Sequence, residues 1–244
     1  MACYHPLKGY EVGLTKNNKT KYHITSYETD MYNLDGSKME YIEIPCGKCI
    51  GCRLAYSRMW ADRCLAEATL HESSYFVTLT YNDDNLPDSI NPETGEIGQY
   101  KTLVKRDMQL FMKRLRKNYK YDNKIRFFLA GEYGSQTARP HYHALLFGLK
   151  LDDMQLYKKT PMGFNLYTSE FLNKVWEYKG YVIVAEVTWE TCAYTARYIM
   201  KKQNGEGVIW FEENGIQQEF TLMSRKPGIA KEFYEQNKLD WWEF

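Results

Sequence analysis

Two histidines one residue apart, His141 and His143, stand in the run Arg139-Pro140-His141-Tyr142-His143-Ala144-Leu145-Leu146-Phe147. On a β-strand successive side chains alternate between faces, so the two imidazoles share one side and Tyr142 takes the other. Their Cα atoms then lie about 6.5 Å apart, a spacing from which two rings can converge on one metal ion. Glu132, in Gly131-Glu132-Tyr133-Gly134, ends the preceding strand-like stretch, and a short turn can return it beside the pair. Two imidazoles and one carboxylate leave coordination positions open, which suits catalysis better than a closed structural site. Two incidental histidines on a polar strand face would have the same spacing.

A second group lies in Cys192-Ala193-Tyr194-Thr195-Ala196-Arg197-Tyr198-Ile199-Met200-Lys201. At about 100° per residue, Cys192, Ala196 and Ile199 fall on one side of a helix, and Tyr194, Tyr198 and Lys201 on roughly the opposite side. Two phenols one turn apart beside a cation suggest nucleophilic chemistry, because a phenol of pKa about 10 attacks well only when a cation or metal stabilises its phenolate. An ordinary amphipathic helix resting aromatic residues on a sheet is the plain alternative, and 21 tyrosines make such a pair unexceptional.

The third group is Pro45-Cys46-Gly47-Lys48-Cys49-Ile50-Gly51-Cys52, three cysteines at two-residue gaps with glycines that permit tight turns. Tetrahedral Zn²⁺ needs a fourth ligand. Cys3 is the better candidate and His5 the next, since Cys64 lies about 18 Å along a continuous helix from Cys52. An iron–sulfur cluster is the rival, although the Cys-Pro that follows in ferredoxin-type runs is missing. Three merely reactive thiols are the remaining possibility.

These residues must be carried by ordinary elements. The chain has 244 residues, 44% hydrophobic and 26% charged, which excludes disordered and fibrous classes. No apolar run reaches the roughly 18 residues of a membrane span, and the N-terminus lacks a signal-peptide pattern, so six cysteines point to thiols or metal rather than disulfides. Helices are expected over 50–72, 105–120, 168–178 and 190–202, with a last short one near 228. Strands are expected over 75–81, 125–131, 141–148 and 181–188, with hairpins at Asp35-Gly36 and around Glu213-Asn214-Gly215. The irregular alternation argues for an α+β fold around a largely antiparallel sheet flanked by helices. A single domain over 1–244 is expected, with a Cys-rich element over 1–60 and a hairpin-and-helix extension over 204–244.

Net charge is only +1, so nucleic-acid contact has to come from local patterning. The helix over 105–120 is amphipathic, with Lys105, Arg106, Lys113 and Arg114 among its basic residues, and is a candidate phosphate-backbone contact; a solvated helix face has the same composition. Arg225 and Lys226, before Pro227-Gly228 and a helix, form a second candidate phosphate site.

Taken together, a His-x-His strand, an upstream Gly-Glu and a later Tyr-x-x-basic helix resemble the HUH endonucleases that initiate rolling-circle replication. Tyr194 and Tyr198 with Lys201 look like the two-tyrosine version in replication initiators of small single-stranded DNA phages. Phe76-Val77-Thr78-Leu79-Thr80-Tyr81 sits where that superfamily has its first motif. The Cys-rich segment and Ser224-Arg225-Lys226-Pro227-Gly228-Ile229 resemble the gokushovirus-like microviruses. The resemblance covers 75–202 by motif and nearly the whole chain by layout, with Tyr142 and Arg197 as departures.

The resemblance implies a ferredoxin/RRM-like HUH fold in which His141, His143 and Glu132 hold Mg²⁺ or Mn²⁺. Tyr198, ranked before Tyr194, attacks a phosphodiester and leaves a 5′-phosphotyrosyl link and a free 3′-hydroxyl. Lys201 steadies a phenolate or phosphate oxygen, and Arg197 adds a weaker DNA contact. Single-stranded DNA with a viral origin, host polymerase and host helicase are the implied partners, no membrane is involved, and the bacterial cytoplasm is the setting. Two other readings remain open, a non-catalytic zinc-stabilised single-strand binder and a transposase or relaxase of the same chemistry.

Overall fold

Runs rich in Val, Phe, Tyr and Thr pair as strands, and the stretches of helical period between them pack on the resulting sheet. The computed structural model describes residues 3–200 and 206–238. In chain order the elements are β1 (Leu7–Leu14), β2 (Thr20–Ser26), β3 (Tyr41–Ile44), α1 (Ile50–Ala68), β4 (Ser74–Thr80), β5 (Asp88–Ile90), β6 (Ile97–Lys101), α2 (Lys105–Asn118), β7 (Arg126–Tyr133) and β8 (Pro140–Phe147). There follow β9 (Met154–Lys159), β10 (Asn165–Ser169), α3 (Glu170–Val175), β11 (Val182–Glu186), α4 (Trp189–Arg197), a 3-10 turn at Tyr198–Met200, α5 (Glu206–Glu213), β12 (Phe220–Met223) and α6 (Lys231–Asn237). The chain divides into two units, Met1–Ser57 and Arg58–Phe244, so the element expected over 1–60 is a unit of its own. The fold is α+β.

In the first unit, β2-β1-β3 form an antiparallel sheet. Lys8 is buried in an ion pair with Asp30 at 2.5 Å, its ammonium 5.1 and 4.8 Å from the Tyr27 and Tyr41 ring centres. Asp35-Gly36 makes the expected turn, with Gly36 at φ +84° and its N–H donating to the Asn33 carbonyl.

The second unit is built on a seven-stranded sheet of order β12-β7-β8-β4-β11-β10-β9, antiparallel at every pairing. The central strands β7 and β8 read as near-continuous hydrophobic runs because both faces are covered. One face carries Leu129, Tyr142, Ala144 and Leu146, and receives Met108, Phe111, Met112 and Leu115 of α2 with Leu172, Val175 and Trp176 at α3. The other carries Phe128, Leu145 and Phe147, and receives Ala61 and Cys64 of α1, Cys192 and Ala196 of α4, and Tyr234 of α6.

Three expectations give way. The hairpin around Glu213-Asn214-Gly215 is instead the end of helix α5. Gly215 lies at φ +61°, its N–H bonds the Glu212 carbonyl and the Ile216 N–H bonds the Phe211 carbonyl, a Schellman ending whose left-handed glycine also marks hairpin turns. Only the second half of that hairpin is a strand, β12, and it pairs with β7. The helix expected from 168 starts at Glu170, because Ser169 caps it by accepting the Leu172 N–H, and the preceding residues form the unforeseen β9–β10 hairpin, turned at Thr160–Gly163. The helix expected over 190–202 ends at Arg197.

Arg126 on β7 and Glu67 on α1 are both buried and ion-paired, and the guanidinium also donates to the Pro227 and Gly228 carbonyls at 3.1 and 2.9 Å. Burial pushes the Glu67 carboxyl up, but His71, the Ala230 N–H and Arg126 outweigh it and hold it below its ordinary value. A depressed carboxyl stabilises the fold above its unfolded pKa of about 4.3 and loses that contribution as the pH falls. Glu67→Gln should therefore cost about 3–5 kcal/mol at pH 7 by stranding Arg126, with the deficit narrowing below about pH 4 in urea unfolding curves.

Candidate functional site

Register places the site. On β7–β8, Glu132 pairs with His141 and Ala130 with His143, and on β4–β8, Thr78 pairs with His143. Glu132, His141, His143, Thr78 and Phe76 therefore share one face, the one covered by α4. Glu132 Oε1 lies 2.7 Å from His141 Nε2 and 2.9 Å from His143 Nε2, and Glu132 and His143 are buried.

The outer nitrogens of both rings are engaged. His141 Nδ1 is 3.1 Å from the Arg139 carbonyl in the β7–β8 turn, and His143 Nδ1 is 3.1 Å from Thr78 Oγ1. A carbonyl only accepts, so His141 Nδ1 carries a hydrogen and, in a neutral ring, Nε2 presents a lone pair to the carboxylate. Lone pairs facing a carboxylate oxygen at this distance need a cation between them or a proton on the ring. The ligand atoms of Glu132, His141 and His143 lie within 4.8 Å of one another, and cis positions around an octahedral ion with bonds of about 2.1 Å are about 3 Å apart. Donor set, tautomer and spacing all fit a divalent ion.

α4 brings the phenols. Thr188 and Thr191 form a capping box that sets its start. The Tyr194 hydroxyl donates to Glu132 Oε1 at 3.0 Å. Tyr198, on the 3-10 turn, is 3% exposed and bonds both Glu132 and Tyr194. His143 is stacked between Phe76, 5.3 Å away at 7°, and Tyr198, 6.0 Å away at 12°, while Tyr194 meets it edge-on at 4.9 Å.

Electrostatically, burial pushes Glu132 up, but the hydrogen bonds from His141, His143 and Tyr198 prevail and hold it far below the usual carboxylate range. Burial, then the bonds to Glu132 and Tyr194, push the Tyr198 phenol far above its ordinary value. Burial also raises Tyr194, opposed by its bond to Tyr198 and by the Arg197 charge. Arg197 is exposed, with its guanidinium carbon 5.7 Å from the Tyr194 ring centre. Lys201 lies outside the described residues.

The expected basic residues divide. α2 covers the face opposite Glu132, so Lys105, Arg106, Lys113 and Arg114 are not brought to the histidines. Arg114 moreover donates to the Val175 carbonyl and pairs with Glu177. Arg225 and Lys226 are exposed in the turn before α6, but the Ala230 N–H that opens that helix is taken by Glu67 at 2.6 Å, which fills the expected anion position with the protein's own carboxylate. Thr78 and Phe76 are the site residues not foreseen as such; their place on a period-2 strand could have indicated one face with each other, but not their pairing with His143.

In the first unit, Cys3, Cys46, Cys49 and Cys52 come together with their sulfurs within 4.8 Å. Cys64 and Cys192 are buried in the core beneath α1 and α4. His5 is not in the group.

Among known proteins, the family of the Replication-associated protein ORF2 matches residues 74–203. The chain is 31% identical to Replication-associated protein ORF2 of Spiroplasma virus 4, over 98% of this chain and 71% of that one. It is 35% identical to Replication-associated protein VP4 of Bdellovibrio phage phiMH2K, over 65% of this chain, and 31% identical to Replication-associated protein ORF4 of Chlamydia phage 1, over 77%. The matched part spans about half the length of those last two relatives, 48% and 45%. No solved structure matches. A chain-long likeness to phage replication proteins, centred on the strands and helix that carry His141, His143, Glu132 and the two tyrosines, leads to one assignment: the chain belongs to the replication-associated protein ORF2 family, among the replication initiators of microviruses.

Proposed function

We propose that the protein nicks and rejoins single-stranded DNA at a replication origin by tyrosine attack. The observation that carries this reading is the convergence of two imidazoles and two phenols on the single carboxylate of Glu132. His141, His143 and Glu132 would hold Mg²⁺ or Mn²⁺, which when bound supplies Lewis-acid polarisation of a phosphate oxygen.

The chain's own residues supply the rest. The Arg139 carbonyl and Thr78 fix the ring orientations, and the stack of Phe76 and Tyr198 holds His143 between them. Tyr194 or Tyr198 loses its phenolic proton and its oxygen attacks phosphorus. The P–O bond to the 3′ side breaks, the departing oxygen takes up a proton, and a 5′-phosphotyrosyl link remains. One phosphodiester replaces another, so the reverse attack by a 3′-hydroxyl reseals the strand. A second phenol, 5.4 Å from the first between ring centres, can serve a second cleavage while the first adduct persists. Arg197 beside Tyr194 favours Tyr194 as the first nucleophile, against the order expected from Lys201.

The released 3′-hydroxyl is a primer end for a host polymerase, with a host helicase opening the duplex and the reaction taking place inside the bacterial cell. Among the described residues no helix is long and apolar enough to cross a membrane.

The test is incubation of the protein with Mn²⁺ and end-labelled single-stranded origin DNA, read on a denaturing gel. A covalent adduct should form, vanish with EDTA and vanish in the Tyr194→Phe/Tyr198→Phe double variant, while each single variant keeps some. Tight binding without any adduct would instead indicate a single-strand binder, and adducts only on transposon ends or transfer origins a transposase or relaxase.

Two contrasts follow from the faces of the sheet. His141→Ala should slow adduct formation by about 100-fold or more by removing a positioned group from the developing charge. Arg106→Ala/Lys113→Ala, on the opposite face, should leave the single-turnover rate within about twofold and at most weaken binding in a salt-dependent way. Thr78→Val should lower Mn²⁺ affinity by about tenfold, measured by calorimetry, because it removes the hydrogen-bond partner of His143 Nδ1.

A further inference from the structure

We propose that Cys3, Cys46, Cys49 and Cys52 bind one zinc ion through four thiolates, and that this ion is the staple of the N-terminal unit. The inference is independent of the nicking reading, since none of the four residues belongs to the site around Glu132.

Geometry separates the alternatives. Four sulfurs at about 2.3 Å around a tetrahedral ion are about 3.8 Å apart. Cys46 and Cys52 sulfurs are 4.0 Å apart and those of Cys49 and Cys3 are 3.9 Å apart. A disulfide would need about 2.05 Å. An iron–sulfur cluster would attach its thiolates to separate irons and spread them beyond the spacing of ligands on one ion.

The backbone around the sulfurs is arranged for thiolates. The Cys49 N–H points at the Cys46 sulfur at 3.3 Å, the Cys52 N–H at the Cys49 sulfur at 3.4 Å, the Cys46 N–H at the Cys3 sulfur at 3.3 Å and the Tyr4 N–H at the Cys49 sulfur at 3.5 Å. Gly47, at φ +70°, allows the tight turn between the first two ligands. Soft thiolates select zinc over the hard ions that suit Glu132.

The unit has reason to need a staple. It ends at Ser57, and Ile24, Ile42, Leu14 and Tyr22 of its sheet are exposed. A domain of this size buries little of its chain and commonly relies on a metal or disulfides. The ion would join Cys3, before β1, to the β3–α1 corner and the first turn of α1, closing a span of 43 residues from Cys3 to Cys46.

The test uses the full chain purified under reducing conditions. Mass spectrometry of metals should find one zinc per chain that survives dialysis against EDTA, that stays in a His141→Ala/His143→Ala variant and that leaves with a thiol-specific mercurial. Refilling with Co²⁺ should give the intense sulfur-to-metal charge transfer and visible bands of a tetrahedral tetrathiolate, a readout on the wild-type chain that does not depend on any cysteine variant folding. Metal release should open residues 3–57 to protease before the rest. Absence of bound metal, bound iron with acid-labile sulfide, or disulfides among these cysteines in the native protein would each overturn the proposal, as would zinc lost in the histidine variant.

Discussion

One carboxylate holds the functional face together. Glu132 is buried on β7 and accepts from two imidazoles and two phenols contributed by β8, α4 and the turn that follows α4. A buried anion is tolerated only when its lone pairs are engaged, so the groups that satisfy it are drawn to one point. The pairing of Glu132 with His141, set by the β7–β8 register, is what makes this convergence possible.

The same pleat that gathers the site also divides labour across the sheet. Odd residues of β8 carry the histidines toward α4, and even ones bury Tyr142 beneath α2, where its hydroxyl lies 2.9 Å from that of Tyr81 and accepts the Val104 N–H at 2.8 Å. The residue between the ligands is thus a core residue anchored at both ends. Chemistry and stability occupy alternate positions of a single strand, and the basic helix α2 belongs to the stabilising side.

Much of this was legible beforehand where one element sufficed. The strand pair, the buried stripe of α2, the Cys-rich corner and the two tyrosines of α4 follow from period and spacing. What escaped required information from elsewhere in the chain. Gly215 serves a helix end rather than a hairpin, a choice local sequence leaves open because both use a left-handed glycine. The β9–β10 hairpin was hidden by polar, lysine-bearing strands at the sheet edge, which lack the alternation of a half-buried strand. The placement of α2 away from the histidines depends on which face each amphipathic helix takes, and neither charge nor period encodes that.

The turn between β7 and β8 is closed on itself by the Gly134 N–H to the Arg139 carbonyl and the Ala138 N–H to the Gly134 carbonyl. Because Glu132 and His141 face each other across the ladder below this turn, residues added or lost within 135–138 would leave their pairing intact, whereas a single insertion between Glu132 and Tyr133 or between His141 and His143 would turn a ligand to the wrong face. Lineages carrying this fold are accordingly free to vary the length and composition of that loop, and with it the surface presented to different origins, while the strands beneath it tolerate substitution but not indels.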